Sequence, residues 1–316
     1  MKKILILGSS GQIGSELIVA LRQKYGKDNV VGFDRREPSE EQKKDGPHVT
    51  GDASKNEDIV AAVEKYKIDT IFHLVALLSA TGEKDPDLCW SLNMGSLKSV
   101  LDLAKEKKLK VFWPSSIAAF GPTTPKVMTP QYTTLEPTTM YGVTKTAGEL
   151  LCQYYKLKFG VDVRSVRYPG LISWKTAPGG GTTDYAVAIF YDALQKGSYE
   201  NFVGPKTVLP MMYMPDAIRG TIELMEAPQE KLSVKTAYNL AAISFSAEEL
   251  AAVVSRKVPG FKCTYAPDAR QKIADSWPQS IDDSVARKDW AWKHRYDLDK
   301  MADDMLLNLK RKFGKK

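Results

Sequence analysis

The sequence predicts an α/β protein built on a doubly wound, mostly parallel sheet, with a smaller α/β subdomain in the C-terminal part of the chain. Two observations carry this prediction. Short apolar runs alternate with amphipathic segments through the first half, which is typical of β-α-β units. After Gly170 the order of elements becomes irregular, and Pro- and Gly-rich loops separate shorter segments.

The apolar runs predict the strands, and segments with helical periodicity predict the helices between them. Strands are expected at residues 3–7, 30–33, 70–76, 110–115 and 161–169, with a further strand just before Asp52. Helices are expected near residues 13–25, 56–66, 87–108 and 139–159. Strands with so few polar residues are typical of parallel sheets that helices cover on both faces.

The second half predicts a loop at 177–185 (APGGGTTDY), followed by a helix to about Gln195. No low-complexity segment or flexible linker separates the two parts of the chain. We therefore expect a larger domain at 1–170 with a returning segment at about 211–240. The smaller subdomain is expected at about 171–210 and 241–316.

Composition excludes several classes of protein. The chain of 316 residues has 43% hydrophobic and 26% charged residues, which is ordinary for a soluble globular protein. The net charge of +7 comes without a basic stripe interleaved with aromatic residues, so nucleic acid is not an expected partner. No window approaches the roughly 18 apolar residues of a membrane span. The three cysteines and three histidines are scattered, so we expect no disulfide framework, no metal site and a cytoplasmic setting.

A glycine-rich turn follows the first predicted strand. In GSSGQIG, Gly8, Gly11 and Gly14 are spaced by three residues, with Gln12 and Ile13 between the last two. Glycines let the backbone turn tightly and approach a pyrophosphate, and the N-terminus of the next helix offers free N–H groups. The pattern predicts a dinucleotide site, and a turn without a ligand is the alternative.

The end of the second strand predicts which dinucleotide binds. Asp34 lies 20 residues beyond Gly14, where a carboxylate can accept hydrogen bonds from both hydroxyls of the adenosine ribose. It would repel a 2′-phosphate, which favours NAD over NADP. Arg35 and Arg36 follow and argue for NADP, but we expect NAD, with Arg35 among its contacts.

Two further strand ends are expected to face the cofactor. Asp52, in TGDAS, could meet the adenine amino group beside Ala53, although a solvated loop aspartate would have the same sequence. Leu74 and Ala76 end the fourth strand at the carboxyl edge of the sheet, where ligands bind in open α/β sheets. His73 is expected to be a packed strand residue.

Tyr141 and Lys145 lie one helical turn apart, and Ser116 follows the fifth strand 25 residues before Tyr141. A tyrosine with a pKa near about 10 is a poor base at neutral pH. An ammonium group within about 4 to 6 Å, together with a positive nicotinamide ring, favours the phenolate. We therefore expect Tyr141 to be a catalytic base, Lys145 to tune it and to contact the nicotinamide ribose, and Ser116 to hold the substrate oxygen.

The glycine turn, the serine and the Y-x-x-x-K helix together resemble the short-chain dehydrogenase/reductase superfamily. The segments PSSIAAFG (114–121) and RYPG (167–170) are similar to its extended branch, which includes UDP-sugar epimerases, and the resemblance covers nearly the whole chain. It implies a Rossmann fold with a C-terminal substrate-binding subdomain, and we place Tyr168 among the cofactor contacts.

The details are less similar to the enzymes that act on nucleotide sugars. Met211 and Met212 lie near the place where epimerases usually carry an arginine for the UDP pyrophosphate. Strings such as HLVALLSATGE (73–83) and SWPQSIDDSVARKDWAWK (276–293) resemble the short-chain L-threonine 3-dehydrogenases, with departures at Val75 and Pro215. This resemblance implies metal-independent oxidation of the L-threonine 3-hydroxyl to L-2-amino-3-oxobutanoate with NAD. A UDP-sugar 4-epimerase or related enzyme is the alternative, and an NAD(H)-sensing binding protein, which usually lacks the Tyr or the Lys, is a second.

The substrate's carboxylate and ammonium then need partners. We expect these from Ser79 and from the loop residues Thr182, Thr183 and Asp184, with Trp277 closing the pocket. Three consecutive glycines lose much entropy on ordering, so the loop at 177–183 is expected to order with substrate. Homologues suggest a homodimer, built from helices such as those at 87–108 and 139–159.

Overall fold

A computed structural model describes residues 1–314, and these divide into two compact units. The first unit comprises residues 1–116, 139–167 and 218–238, and the second comprises 117–138, 168–217 and the residues from 239 onward. The division differs from the expected one at residues 117–138, because this segment packs within the second unit, where Thr129 pairs with Ile281. Residues 315 and 316 of the expected subdomain lie outside the described residues.

In the first half the strands overlap the predicted apolar runs, but the strand expected at 161–169 is divided into two short ones. In chain order they are β1 (Ile4–Leu7), β2 (Val30–Asp34), β3 (His48–Thr50), β4 (Thr70–His73), β5 (Lys110–Phe112), β6 (Ser115–Ser116), β7 (Val163–Arg164), β8 (Val166–Tyr168), β9 (Gly170–Ile172), β10 (Ser198–Asn201), β11 (Val208–Tyr213), β12 (Tyr238–Asn239), β13 (Ile243–Ser246) and β14 (Lys262–Tyr265).

The helices likewise confirm the predicted amphipathic segments. They are α1 (Gln12–Tyr25), α2 (Glu40–Lys44), α3 (Asn56–Tyr66), α4 (Ser79–Gly82), α5 (Pro86–Lys107), α6 (Met140–Phe159), α7 (Tyr185–Gln195), α8 (Met214–Glu226), α9 (Ala247–Lys257), α10 (Arg270–Ser276), α11 (Ser284–Trp290) and α12 (Leu298–Lys312). No helix within residues 1–314 has the length and apolar character that crossing a bilayer requires.

The first unit is built on a six-stranded sheet in the order β3-β2-β1-β4-β5-β7. All its strand pairs are parallel, and β1 sets Ile4 opposite Val30 on one side and opposite Thr70 on the other. The order of strands therefore reverses between β1 and β4, where open α/β sheets bind their ligands at the carboxyl edge. This topology confirms the predicted Rossmann-like fold class.

The core of this unit explains why the strands are so apolar. All four residues of β1 are fully buried, and Leu5 and Leu7 belong to a core cluster with residues of α3, α5 and α6. Gly148 lets α6 approach the end of β5 closely, because a Cβ at this position would lie 2.4 Å from the Trp113 ring. The end of β5 and the helix that carries Tyr141 are therefore held together by packing.

Two side chains set the starts of the long helices. Asp85 caps α5 by accepting a hydrogen bond from Leu88 N, and Thr139 caps α6 by accepting one from Gly142 N. These caps satisfy N–H groups that a helix start otherwise leaves without partners. The cap at Thr139 fixes the turn that contains Tyr141.

The second unit contains a three-stranded sheet in the order β13-β11-β9 and a two-stranded sheet of β10 and β14. β11 pairs antiparallel with β13 and parallel with β9. Trp292 is buried and donates its indole N–H to Ala241 O and Asp283 Oδ2, so it is a packing residue as expected. The irregular order predicted after Gly170 is confirmed.

Candidate active site

The glycine turn between β1 and α1 is closed by main-chain contacts. Gly8 has a φ of +86° and donates its N–H to Phe33 O at 2.8 Å, while Gly11 donates to Gly8 O at 3.0 Å. A Cβ at Gly14 would lie 2.2 Å from Gly8 O, so the start of α1 can approach the turn only with glycine there. Gly11 caps α1 without a side-chain hydrogen bond, which leaves N–H groups of the helix start for an anion.

Asp34 ends β2 beside this turn. Its Oδ2 accepts Ser10 N at 2.9 Å, and its Oδ1 accepts the backbone N–H of Arg36 at 3.1 Å and the Arg36 Nε at 3.3 Å. Burial alone would raise the pKa of Asp34, but the hydrogen bonds from Arg36 and Ser10 outweigh it and hold the pKa below its usual value. The carboxylate is therefore charged at neutral pH, as a ribose-binding acid must be.

A cavity of about 290 Å³ opens beside the turn and Asp34, at the carboxyl edge of the sheet. Most of the residues expected to bind the cofactor line it, and so do several that were not expected. The expected ones are Gly8, Gly11, Asp34, Arg35, Asp52, Ala53, Leu74 and Ala76, and the others are Phe33, Arg36, Gly51, Val75, Leu77 and Leu92.

The chemistry of this lining fits the adenosine half of a dinucleotide. Apolar walls meet two carboxylates, Asp34 and Asp52, beside Arg35 and Arg36, and the glycine turn supplies N–H donors nearby. Asp52 is partly exposed, and its Oδ1 accepts the backbone N–H and the hydroxyl of Ser54, so its role toward adenine stays a prediction. His73 is fully buried with its Nε2 at 3.0 Å from Ser96 Oγ, consistent with packing.

Ser116, Tyr141 and Lys145 come together where the start of α6 meets the short strand β6. Tyr141 is the second residue of α6, Lys145 lies one turn later, and Ser116 ends the short strand β6. The side chains of Ser116 and Tyr141 are hydrogen-bonded to each other, and Lys145 Nζ lies 5.3 Å from the centre of the Tyr141 ring. The trio that was inferred from spacing alone is thus adjacent in space.

Lys145 is held from two further sides. Its Nζ donates to Pro114 O at 2.6 Å and lies 4.5 Å from the centre of the Trp113 ring. Burial is the largest influence on the ammonium and lowers the pKa of Lys145 to about 7. Near neutral pH the residue is therefore close to the midpoint between its charged and neutral forms.

The electrostatics of Tyr141 differ from the simple expectation. Burial raises the pKa of Tyr141 to about 12, and the hydrogen bond from Ser116 offsets only part of that effect. Lys145 alone does not outweigh the effect of burial on the pKa of Tyr141. The expected lowering of this pKa therefore also needs the positive charge of the nicotinamide ring. Sequence spacing carries no information about this desolvation.

Asn93 is a buried residue near the site that the sequence analysis did not identify. Its side-chain amide accepts Leu77 N at 2.7 Å and donates to Leu77 O and to Thr144 Oγ1, both at 3.1 Å. It thereby ties α5 to the loop after β4 and to α6. A single asparagine in a long helix gives no signal in the sequence that could have identified it.

Among the expected substrate contacts, Ser79 begins α4 in the first unit and is buried. Thr182, Thr183, Asp184 and Trp277 belong to the second unit. Asp184 Oδ2 accepts the backbone N–H groups of the three preceding glycines, Gly179, Gly180 and Gly181, at 2.7 to 2.8 Å. The carboxylate that was expected to face an ammonium thus also organises its own loop.

The remaining expected residues are buried or partly buried. Thr182 is buried, and its Oγ1 has no hydrogen-bond partner among the described residues. Gly170 makes room for Thr183 and Met211, since a Cβ there would meet their side chains at 2.8 Å and 2.3 Å. Tyr168, expected at the cofactor, is buried in the second unit. Gln12 and Ile13 form the first turn of α1.

The position that would carry a cation in an epimerase holds buried sulfur instead. Met211 and Met212 are both fully buried in β11, within the second unit. Among residues 1–314, no group of three or more His, Cys, Asp or Glu side chains is arranged to hold a metal ion. The candidate site therefore consists of the N–H groups of the glycine turn and the side chains of the Ser-Tyr-Lys trio.

Comparison with known proteins gives a family and close relatives. Residues 4–241 match the NAD dependent epimerase/dehydratase family. An uncharacterised epimerase/dehydratase of Staphylococcus haemolyticus is 51% identical over 314 residues, covering 99% of each chain.

Two solved structures are similar over nearly the whole chain. A GalE-like L-threonine dehydrogenase from Cupriavidus necator superposes with a TM-score of 0.95 at 55% identity, covering 98% of this chain and 100% of the other. A monomeric L-threonine 3-dehydrogenase of metagenomic origin gives a TM-score of 0.94 at 50% identity, covering 98% and 99%.

Proposed function

The chain belongs to the NAD dependent epimerase/dehydratase family, and from that premise we propose that it oxidises the 3-hydroxyl of L-threonine to L-2-amino-3-oxobutanoate with NAD. The observation that carries the reaction type is the contact of Ser116 with Tyr141 beside the buried ammonium of Lys145. The choice of threonine is supported by the whole-length similarity to two proteins described as threonine dehydrogenases.

Each member of the trio has a separate task in alcohol oxidation. Tyr141 takes the proton of the 3-hydroxyl, and Ser116 donates a hydrogen bond to the same oxygen while the carbonyl forms. NAD, when bound, supplies the acceptor for the hydride that leaves the β-carbon of threonine. Lys145, in its protonated form, stabilises the negative charge that develops on the phenol oxygen.

The charges must overcome a large effect of burial. A neighbouring cation typically lowers the pKa of an acid by about 1 to 3. Because the pKa of Tyr141 is about 12 and that of Lys145 about 7, one partly charged lysine cannot bring the phenol near neutrality. We therefore propose that Tyr141 becomes an efficient base only when the positive nicotinamide ring is present, which couples proton removal to cofactor binding.

The cofactor proposal follows from the turn and Asp34. The N–H groups at the start of α1 would hold the pyrophosphate, and the charged carboxylate of Asp34 would accept the ribose hydroxyls. Ala53, Leu74 and Ala76 would contact the adenosine half from the lining of the cavity. Arg36 donates to Asp34 and helps to keep this carboxylate charged. Asp34 therefore remains the proposed partner of the ribose.

For the substrate's own charged groups we propose Ser79, Thr182, Thr183, Asp184 and Trp277. The buried, unpartnered hydroxyl of Thr182 supports this assignment, because buried hydroxyls usually have partners. The carboxylate of Asp184 holds the glycine loop through three N–H groups, so substrate binding and loop order are expected to be linked.

We further propose a homodimer in a cytoplasmic setting. The outer faces of α5 and α6 expose apolar side chains, and a second copy would cover them. These residues are Leu88, Trp90, Val143, Leu150, Tyr154, Leu157 and Phe159. The relative from a metagenomic source is described as monomeric, so the assembly varies among similar chains. The free thiols of Cys89, Cys152 and Cys263 support a reducing compartment.

A direct assay tests the function. Purified protein is mixed with NAD and L-threonine at mildly alkaline pH, and NADH is followed by its absorbance in the near ultraviolet. We expect steady NADH formation that depends on both substrates. A flat trace with threonine, combined with interconversion of UDP-glucose and UDP-galactose, would assign the chain to the epimerase alternative that its family also contains.

A further inference from the structure

Glu149 is a buried acid on the same face of α6 as Tyr141 and Lys145. It lies one turn after Lys145 and two turns after Tyr141, and its accessible surface is 0%. A carboxylate in that position must be paired, because an isolated buried charge is strongly destabilising. The proposed proton transfer assigns no role to it.

The partners of Glu149 come from two strands. Ser115 Oγ donates to Glu149 Oε1 at 2.6 Å. Arg167, in β8 and 3% exposed, donates through Nε to Oε1 at 2.9 Å and through Nη2 to Oε2 at 2.7 Å. The two-point geometry fixes the plane of the carboxylate, so the acceptor offered to Ser115 has one orientation.

Ser115 is the middle residue of three that each contact α6. The residue before it, Pro114, accepts the Lys145 ammonium through its carbonyl at 2.6 Å. The residue after it, Ser116, is hydrogen-bonded to Tyr141. Residues 114, 115 and 116 thus contact α6 at three successive turns. Of these three contacts, only the one between Ser115 and Glu149 involves no residue of the proposed reaction.

We propose that Glu149, clamped by Arg167, is a positioning residue that holds Ser115 and so keeps the Lys145 and Tyr141 contacts in register. This inference rests on the proposed dehydrogenase function and deepens it. If Ser115 shifts, the carbonyl before it and the hydroxyl after it shift with it. A displacement of about 1 Å is enough to reduce catalysis by roughly 100-fold when reacting groups lose alignment.

Glu149 also acts on Lys145 through its charge. Burial lowers the pKa of Lys145, and the Glu149 carboxylate raises it again. Cys152 on the same helix, Cys89 on α5 and His73 on β4 also face Lys145. Burial keeps the pKa of both thiols above the usual value and brings that of His73 to about 3, so these three groups are neutral near pH 7.

Two substitutions separate position from charge. Ser115→Ala removes the hydrogen bond and leaves the ion pair, so kcat with threonine should fall by about 10-fold or more while the Kd for NADH is unchanged. Glu149→Gln keeps an acceptor for Ser115 and removes the charge. The ammonium of Lys145 is then lost at lower pH, the phenolate is supported less, and the acid limb of the kcat profile should move to higher pH.

A matched ion pair in the same unit provides the control. Arg164 is 4% exposed, and its Nε and Nη2 donate to Asp162 at 2.9 and 3.0 Å. Asp162→Asn should lower Tm without changing kcat or its pH profile. If Ser115→Ala and Glu149→Gln behave like this control, their network only stabilises the fold and the inference is overturned.

A measurement without turnover separates this inference from the proposed function. The titration of Lys145, followed by ¹⁵N-lysine NMR and assigned with Lys145→Met, should have a lower pKa in Glu149→Gln than in the wild type. An unchanged pKa overturns the electrostatic role even if threonine is oxidised. If the wild type does not oxidise threonine but the pKa still falls, the proposed substrate fails and the electrostatic role of Glu149 remains supported.

Discussion

At the glycine turn, the groups that are expected to meet the cofactor are main-chain N–H donors and one carboxylate. At the start of α6, the groups that are expected to carry the reaction are three side chains from two segments of the chain, Ser116 after β5 and Tyr141 and Lys145 on the helix. The turn depends on the absence of side chains, since a Cβ at Gly14 would lie 2.2 Å from Gly8 O. The trio depends on side chains whose ionisation is set by the surrounding apolar packing, with Lys145 at a pKa of about 7 and Tyr141 at about 12.

This difference predicts how substitutions at the glycine turn and in the Ser-Tyr-Lys trio will act. A site made of backbone is specified by local conformation, so substitutions fail there by steric overlap and lost stability. A site made of buried ionisable groups is specified by its surroundings, so substitutions change the rate while the fold persists. The three predictions that follow test this contrast, and they run from the largest expected effect to the smallest.

Tyr141→Phe should lower kcat by about 1,000-fold, because a general base typically contributes a factor of roughly 10² to 10⁴. NADH binding, measured by fluorescence titration, should stay near that of the wild type, since the aromatic ring is retained. Tyr154→Phe, in the apolar patch of the same helix that the proposed dimer would cover, is the control; it keeps the ring that packs there and should keep its activity. A near-normal rate in Tyr141→Phe would mean that another group takes the proton.

Gly14→Ala should lower the free energy of unfolding by about 1 to 3 kcal/mol, as overpacking does, and weaken NADH binding. The added methyl would overlap Gly8 O and Ser9 Cα, which are backbone atoms that cannot rotate away. Gly95→Ala in α5 is the matched control, because a Cβ there meets nothing within 4 Å. That variant should be more stable by up to about 1 kcal/mol, since alanine favours helix. Equal thermal denaturation curves for the two variants would contradict the steric account of the turn.

Asp34→Ala should shift the cofactor preference from NAD toward NADP by about 10- to 100-fold. Hydrogen bonds to a charged group contribute about 1.5 to 3 kcal/mol, and each 1.4 kcal/mol is roughly a factor of ten. Asp34→Asn keeps an acceptor for Ser10 N and separates the loss of charge from a local change of the turn. The ratio of kcat/KM for the two cofactors is the measurement. An unchanged ratio in both variants would place ribose recognition elsewhere.

The fold could be predicted to a large extent because its signals are local. The apolar run at 3–7 became β1, the pattern at 139–159 became α6, and the Gly-rich stretch before Tyr185 became a loop that ends in a helix. Segment 117–138 was placed in the larger domain because it follows a strand of that domain. Its pairing of Thr129 with Ile281 joins residues far apart in sequence, and no local pattern indicates such a partner.

For the candidate site, the sequence predicted which residues take part but not how they ionise. Their spacing predicted that Ser116, Tyr141 and Lys145 act together. The direction in which the pKa of Tyr141 shifts depends on burial by the whole fold. Asn93 and the carbonyl of Pro114 were missed because an isolated asparagine and a backbone oxygen leave no pattern. Glu149 continued the four-residue repeat of Tyr141 and Lys145, and this signal could have been used.

The indole of Trp113 lies against an amine that changes charge close to pH 7. An excited indole responds to a nearby charge by changing the colour and intensity of its emission. Trp113 is one of six tryptophans, so the part of the pH-dependent emission that Trp113→Phe removes reports the protonation state of Lys145, and it can be monitored while no substrate is turning over.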